Sequence, residues 1–142
     1  MKDNEETIIY KILSANDTGD TGAHQAGICV PKDPDILNYF PPLDASQKNP
    51  RQSLSFYDAD RKKWEFNFIY YNNKFFGGTR NEYRLTRMIP FIRSNGLNPG
   101  DRLILKKNIG GKRFVEFKRA QKSRIGKDGV LKLGSTWKTI KI

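Results

Sequence analysis

The apolar residues of this 142-residue chain fall in short runs of β-branched and aromatic side chains, each closed off by Gly, Pro, Asn or Asp. Punctuation of that kind leaves no room for long amphipathic helices and directs the chain into strands. Strands are expected over residues 7–13, 26–30, 53–58, 64–71, 103–107, 113–118, 129–133 and 137–142. Turns such as Asn108-Ile109-Gly110-Gly111 and Lys127-Asp128-Gly129 join neighbours as hairpins. Two short helices interrupt the series. One covers 34–40, with Pro34 in its first turn and Pro41-Pro42 as its stop. The other covers 90–94 and ends at Asn95-Gly96, where glycine takes a left-handed cap before Leu97-Asn98-Pro99-Gly100-Asp101 leads into a strand. Closing up to eight strands on themselves hides the edges that a flat sheet would present, and two helices plug the ends. The expected fold class is mostly β, a small pseudobarrel.

Residues 1–142 read as one domain, long enough to bury about two thirds of the unfolded surface in a single core. The polar, proline-bearing segment 42–51 reads as a mobile surface loop. Cys29 is the only cysteine, cannot form an internal disulfide, and lies between Ile28 and Val30 in a strand, which suits a reducing compartment. No apolar run approaches the roughly 18 residues of a membrane span, and Met1-Lys2-Asp3-Asn4-Glu5-Glu6 lacks the apolar centre of a signal peptide. A cytoplasmic protein with no membrane partner is expected.

Charge narrows the partner. Twenty-six Lys and Arg against fifteen Asp and Glu leave a net +11. Residues 1–60 hold five basic and ten acidic side chains (−5), whereas 61–142 hold twenty-one and five (+16). A compact body built from both has a basic side, which draws polyanions. Two loops, over 13–25 and 70–84, are clusters of Gly, Thr, Asn and Asp followed by long polar side chains. Turn residues project such loops, and the long side chains can hydrogen-bond base edges in a groove. Double-stranded DNA is the expected partner, with no metal and no cofactor.

Other readings of the same residues stand beside this one. Arg80, Glu82 and Arg84 alternate as a salt-bridge ladder on a solvated strand face would. His24 is the only histidine, which excludes a multi-histidine metal site, and the Asp17–Gly22 run lacks the further acids of a calcium loop. Glu116-Phe117-Lys118 imitates half of a metal-dependent nuclease core, with Asp101 or Asp35 as the distant carboxylate, but no Pro-Asp lies at short spacing upstream. No activated serine or cysteine nucleophile is evident, so no catalytic residue is assigned. Tyr70, Tyr71, Phe75 and Phe76 fit either a stacking platform for single strands or RNA, or a strand end in the core; the core is expected.

The stretch 13–25, continued by Ala26-Gly27-Ile28-Cys29-Val30-Pro31, resembles the first signature of the EcoRII-type restriction endonuclease N-terminal domain, an effector-DNA-binding module. Ile69-Tyr70-Tyr71-Asn72, then Phe76-Gly77-Gly78-Thr79-Arg80-Asn81-Glu82 and Arg84-Leu85-Thr86-Arg87, resemble its second. Ile89-Pro90-Phe91-Ile92-Arg93-Ser94-Asn95-Gly96 and the Gly100-Asp101 turn are similar to plant transcription-factor pseudobarrel domains. The resemblance implies a seven- or eight-stranded open pseudobarrel whose two loop arms grip a duplex as a monomer, each arm entering the major groove.

Carried over residue by residue, the resemblance offers Asp17, Thr18, Thr21, His24 and Gln25 on the first arm and Lys74, Arg80, Asn81, Glu82 and Arg84 on the second. An Arg fork suits guanine and Glu82 suits a cytosine amino group, so the set suits a run of G and C, in line with the family's CC(A/T)GG kind of target. The chain departs from the pattern at Cys29, where an aromatic residue is expected, and at Gly78 and Tyr83, where lysines are expected; Tyr83 still carries a phosphate donor. Lys122 is expected on the phosphate-docking side. The implied function is sequence recognition rather than cleavage, in a restriction endonuclease whose catalytic nuclease domain lies elsewhere in the polypeptide. The competing classes are a transcription regulator, a small metal-dependent nuclease and an RNA-binding barrel.

Overall fold

Alternation of apolar and polar side chains produces eight short strands, found in the computed structural model of the chain, which describes residues 6–19, 27–120 and 137–140. They are β1 (Thr7–Ile12), β2 (Ile28–Val30), β3 (Arg51–Tyr57), β4 (Lys63–Tyr71), β5 (Glu82–Thr86), β6 (Arg102–Lys107), β7 (Arg113–Lys118) and β8 (Trp137–Ile140). All belong to one sheet in the order β2-β5-β4-β3-β7-β6-β1-β8. Neighbours are antiparallel except β3 and β7, which meet in parallel over only Phe56–Arg113 and Tyr57–Phe114. The sheet curls until its end strands approach each other, where the Trp137 indole Nε1 donates to the Cys29 carbonyl at 2.9 Å. The result is a mostly β, nearly closed pseudobarrel, as the run-and-turn pattern indicated.

The inward face is supplied by every second residue. Leu54 and Phe56, Phe66 and Phe68, Leu103 and Leu105 are all fully buried. Each such side chain contributes about 1.5–3 kcal/mol by leaving water. Helix α3 (Ile89–Ser94) packs Phe91 edge-on against Trp64 (5.2 Å) and Phe66 (6.0 Å). Helix α2 (Pro34–Leu37) is shorter than the expected 34–40. The chain leaves it in tight turns so that Phe40 can stack on Phe68 at 4.4 Å and the Tyr39 hydroxyl can donate to the Lys106 carbonyl at 2.9 Å. A third helix, α1 (Ala15–Thr18), was not foreseen.

Residues 129–133, expected as a strand, lie outside the described residues, and the eighth described strand is instead β5, drawn from the second loop. The segment 42–51 is not free: the buried Asn72 amide donates to the carbonyls of Ala45 (3.3 Å) and Gln47 (2.8 Å), and its Oδ1 accepts from the Asn49 N–H (2.6 Å). Gly96 does take the left-handed conformation at the end of α3, with φ 60°.

Candidate nucleic-acid interface

Strand register fixes where the two arms stand. In the β2–β5 pair, Ile28 faces Leu85 and Val30 faces Tyr83. The first arm, which joins β1 to β2, therefore arrives beside Leu85 and Thr86, while the second, which joins β4 to β5, arrives at Glu82. The roots are four residue steps apart, about 13 Å in an extended strand. Between them lies the outer face of β5, with Arg84 flanked by Cys29 and Ile69, and Glu82 opposite Tyr71. Gly27 makes the close approach at the first root possible: its φ is +94°, and a Cβ there would sit 2.3 Å from the Leu85 carbonyl oxygen.

The first arm is anchored from inside the barrel. Lys11 shares the inward face of β1 with Ile9 and Leu13 and is 1% exposed; its ammonium pairs with the buried Asp17 carboxylate. Asp17 also accepts the Ser14 N–H (3.0 Å), while Ser14 Oγ accepts the Asp17 N–H (3.1 Å), a reciprocal cap that starts α1. Leu13 is tied in both directions to the turn before β6, donating to Asp101 O and accepting from Gly100 N, each at 2.8 Å. The buried Thr18 hydroxyl donates to Ala15 O at 3.2 Å. Asp17 and Thr18 are thus buried and bonded within the protein rather than presented to solvent, a correction to the sequence expectation. Thr21, His24 and Gln25, with Lys122, lie outside the described residues.

The second arm is a locked turn. Residues Asn73–Phe76 form a 3-10 turn that ends at Gly77 in the left-handed conformation (φ 92°). The Asn73 Oδ1 accepts the Arg80 N–H at 2.7 Å, the Lys74 N–H donates to Arg80 O at 2.9 Å, and the Gly78 N–H donates to Asn73 O at 2.7 Å. A Cβ at Gly78 would meet the Asn73 side chain at 2.7 Å, so glycine here lets Asn73 hold the turn closed. Lys74 is exposed at the apex. Phe75 and Phe76 are 64% and 43% exposed, which corrects their assignment to the core; the 3-10 turn carries them off the sheet, whereas Tyr70 stays buried.

At the neck of this arm the charged residues converge. Glu82 Oε2 accepts from Arg80 Nη2 (2.5 Å), Arg80 Nε (3.2 Å) and Arg84 Nε (3.0 Å). Arg84 Nη1 reaches on to the Gly27 carbonyl at 2.9 Å, joining this network to the root of the first arm. The Arg80 guanidinium lies 3.8 Å over the Tyr71 ring. Asn81 Oδ1 accepts the Tyr70 hydroxyl at 2.7 Å. Tyr83 occupies the other face of β5, stacked on Tyr70 at 4.2 Å and Phe68 at 5.5 Å, so it does not stand with Arg84 as expected. Burial raises its phenol pKa.

Hydrogen bonds from Arg80 hold the Glu82 carboxyl below the usual carboxylate range against the opposing effect of burial, with Arg84 adding to them. A folded pKa below the unfolded value of about 4.3 means stability that is present above that pH and lost as the medium turns more acid. The Glu82 side chain is 33% exposed, so screening limits the contribution to under about 1 kcal/mol. Glu82→Gln is therefore expected to be slightly less stable than the parent at pH 7, with the gap narrowing as pH falls below about 4. Urea unfolding across that range checks it, and a gap that widens in acid would contradict the sign.

The nuclease-like residues are otherwise employed. Glu116 pairs across strands with Lys106 at 3.1 Å, and Asp101 accepts from the backbone N–H groups of Asn98 (2.8 Å) and Ala120 (2.9 Å). Among the described residues no group of three His, Cys, Asp or Glu is placed to hold a metal ion. The structure brings Lys74, Arg80, Glu82 and Arg84 together. Sequence reasoning missed Lys11, Tyr71 and Asn73. Lys11 had a signal, since Ile9-x-Lys11-x-Leu13 places a lysine on an inward face, where it requires an acid.

Comparison with known proteins places the chain. A family model described as Restriction endonuclease EcoRII, N-terminal, matches residues 3–91, more than half of the sequence. The type II restriction enzyme EcoRII of Escherichia coli is 40% identical over 89 residues, covering 60% of this chain and 22% of that protein. Auxin response factor 3 of Arabidopsis thaliana is 30% identical over 119 residues, 84% of this chain and 18% of that one. A structure solved as an Arabidopsis FUS3–DNA complex matches with a TM-score of 0.61 at 19% identity, over 79% of this chain and 96% of the other. The match spans about a fifth of the length of these two curated relatives. By the extent of the family match, which takes in more than half of the sequence, the chain belongs to the EcoRII N-terminal family.

Proposed function

We propose that this domain recognises a short sequence in double-stranded DNA, one copy of the chain placing both arms in the major groove of one duplex. The observation that carries the reading is the outer face of β5, where Arg80, Glu82 and Arg84 form one network between two arm roots about 13 Å apart. That spacing is close to the groove's width of about 12 Å, so two projections can enter it side by side. In the free protein Glu82 satisfies both guanidinium groups. On the duplex the fork of Arg84 or Arg80 exchanges that partner for guanine acceptors, and Glu82 accepts from a cytosine amino group. The net charge of +11 supplies salt-sensitive phosphate attraction. Because the arms differ in sequence and anchoring, each reads its own half of a CC(A/T)GG-like site.

In this proposal the domain is the targeting part of a cytoplasmic type II restriction endonuclease, and the catalytic nuclease domain of that polypeptide does the cutting. The match to auxin response factors favours a second reading, the DNA-binding domain of a transcription regulator, which shares the recognition step and differs in the event that recognition triggers. Selection from randomised duplexes, with and without magnesium, is expected to return one short motif and no cleavage. Recovery of single strands, of no motif, or of cut products would reject the proposal.

Site roles are separable by affinity. Arg80→Ala and Arg84→Ala are each expected to lose about 1–3 kcal/mol on the selected duplex and little on random DNA. Lys74→Ala, at the exposed apex, is expected to weaken both alike and reduce the salt slope by about one. Anisotropy titrations over a salt series measure both; equal losses on the two DNAs for the arginine variants would remove their assignment to bases.

A further inference from the structure

We infer that the apex of the second arm is an apolar reader: Phe75 and Phe76 pack against the C5-methyl group of a thymine in the major groove. This rests on the proposed duplex recognition and adds to it the identity of one recognised base group.

Exposed phenyl rings carry a cost that the fold does not need to bear. Phe75 and Phe76 are, with Ile109, the large apolar side chains left exposed among the described residues. They are neighbours, and they sit on a turn whose backbone carries them off the sheet. Three hydrogen bonds across the neck, from the N–H groups of Lys74, Gly78 and Arg80, close the turn beneath them. The buried Asn72 fixes its base by way of Asn49, Ala45 and Gln47. A mobile tip could fold its rings onto the protein, but this one cannot without breaking those bonds. The backbone that carries the rings is thus held in a set position, and the ordering entropy that weakens binding by loose loops is already lost in folding.

Their surroundings select the partner. The apex carries the exposed Lys74, and its neck carries Arg80 over Tyr71, so the pair is embedded in positive charge. A hydrophobic protein partner would have to desolvate those cations, and two rings amount to far less than the roughly 800 Å² per partner of a stable protein interface. A polyanion whose surface also offers isolated apolar groups suits both features. In the major groove that group is the thymine methyl, the one apolar projection among the base edges, and phenyl rings are among its recognised contacts. With the guanidinium groups at the neck bonding G and C edges, an apex one turn further out contacts the adjoining A·T pair.

The test is chemical and leaves the base pairing intact. In the duplex obtained by selection, each thymine is replaced in turn by uracil, which removes only the methyl group, and dissociation constants are measured for the parent and for the Phe75→Ala/Phe76→Ala variant. The parent is expected to weaken about fourfold at one or two thymines, the effect of losing one buried methyl. The variant is expected to bind the thymine duplex more weakly and to show no response to uracil. Both rings are exposed, so the variant is expected to keep the parent's thermal midpoint; if it does not, Phe75→Ala and Phe76→Ala are tested singly. A parent indifferent to every uracil, a variant that responds as the parent does, or a selected motif with no fixed A·T pair would overturn the inference while leaving duplex recognition standing. Failure of the parent to bind any duplex would instead overturn the proposed function.

Discussion

Asp17→Ala is expected to cost the domain about 3–5 kcal/mol, a large share of the 5–15 kcal/mol that holds a protein of this size together. The substitution leaves the Lys11 ammonium inside the barrel with no anionic partner, and its remaining hydrogen bond, to Ile12 O at 3.4 Å, cannot replace a carboxylate. It also removes one half of the reciprocal cap of α1, since the Ser14 N–H loses its acceptor while the bond from residue 17 N–H to Ser14 Oγ remains. A second substitution separates the two losses. Lys11→Met in the Asp17→Ala background removes the stranded charge and places an apolar chain between Ile9 and Leu13, so it is expected to recover most of the stability while the first arm still lacks its Asp17 carboxylate anchor. Urea unfolding gives the stability and titration with duplex gives the arm. A double variant no more stable than Asp17→Ala alone would show that the buried charge was not the dominant effect.

Trp137→Ala is expected to be comparably damaging, at about 3–5 kcal/mol. The indole is buried and its Nε1–H is the bond that draws β8 to β2. Its removal leaves a cavity where the sheet nearly meets itself and strands the Cys29 carbonyl. Trp137→Phe retains most of the apolar volume but no donor, and about 1–2 kcal/mol is expected for it. Thermal unfolding of both variants checks the order, and equal losses would assign the whole effect to the hydrogen bond. Because Cys29 lies directly across from Arg84, the alanine variant is also expected to bind duplex less selectively.

Most of the fold was legible in the spacing of apolar residues, because strands with one buried face must alternate and the punctuating turns are chemically distinctive. β5 was hidden by its own charges. Glu82 and Arg84 drew attention to one face, although Tyr83 and Leu85 on the other carried the period of two. α1 went unseen inside a Gly- and Thr-rich loop, yet Ser14-x-x-Asp17 is a capping-box spacing that marks a helix start. That cap and the inward Lys11 of β1, which requires an acid nearby, both place Asp17 inside rather than on the surface. The convergence of Arg80, Glu82 and Arg84 was visible as a pattern, and a salt-bridge network and a reading site need not be rivals, since one carboxylate can hold both forks until the duplex competes for them. Exposure of Phe75 and Phe76 was not legible, because it depends on a single amide, Asn73, bonding across the turn.

The two-rung parallel contact between β3 and β7 divides the sheet into a block of residues 28–86 and a block formed by β1 with the later strands. The second arm belongs wholly to the former, a contiguous stretch able to organise early. The first arm begins in one block and ends in the other, and β1 must find partners nearly a hundred positions away, at Arg102–Lys107. Distant pairings of that kind form late. On the proposed two-arm reading, a nascent or partly melted molecule therefore owns one jaw and lacks its opposite, so it clings to nucleic acid by charge without discriminating. Fidelity, on that reading, is acquired with the final docking event of folding, and a loosened copy loses its selectivity before it loses its shape.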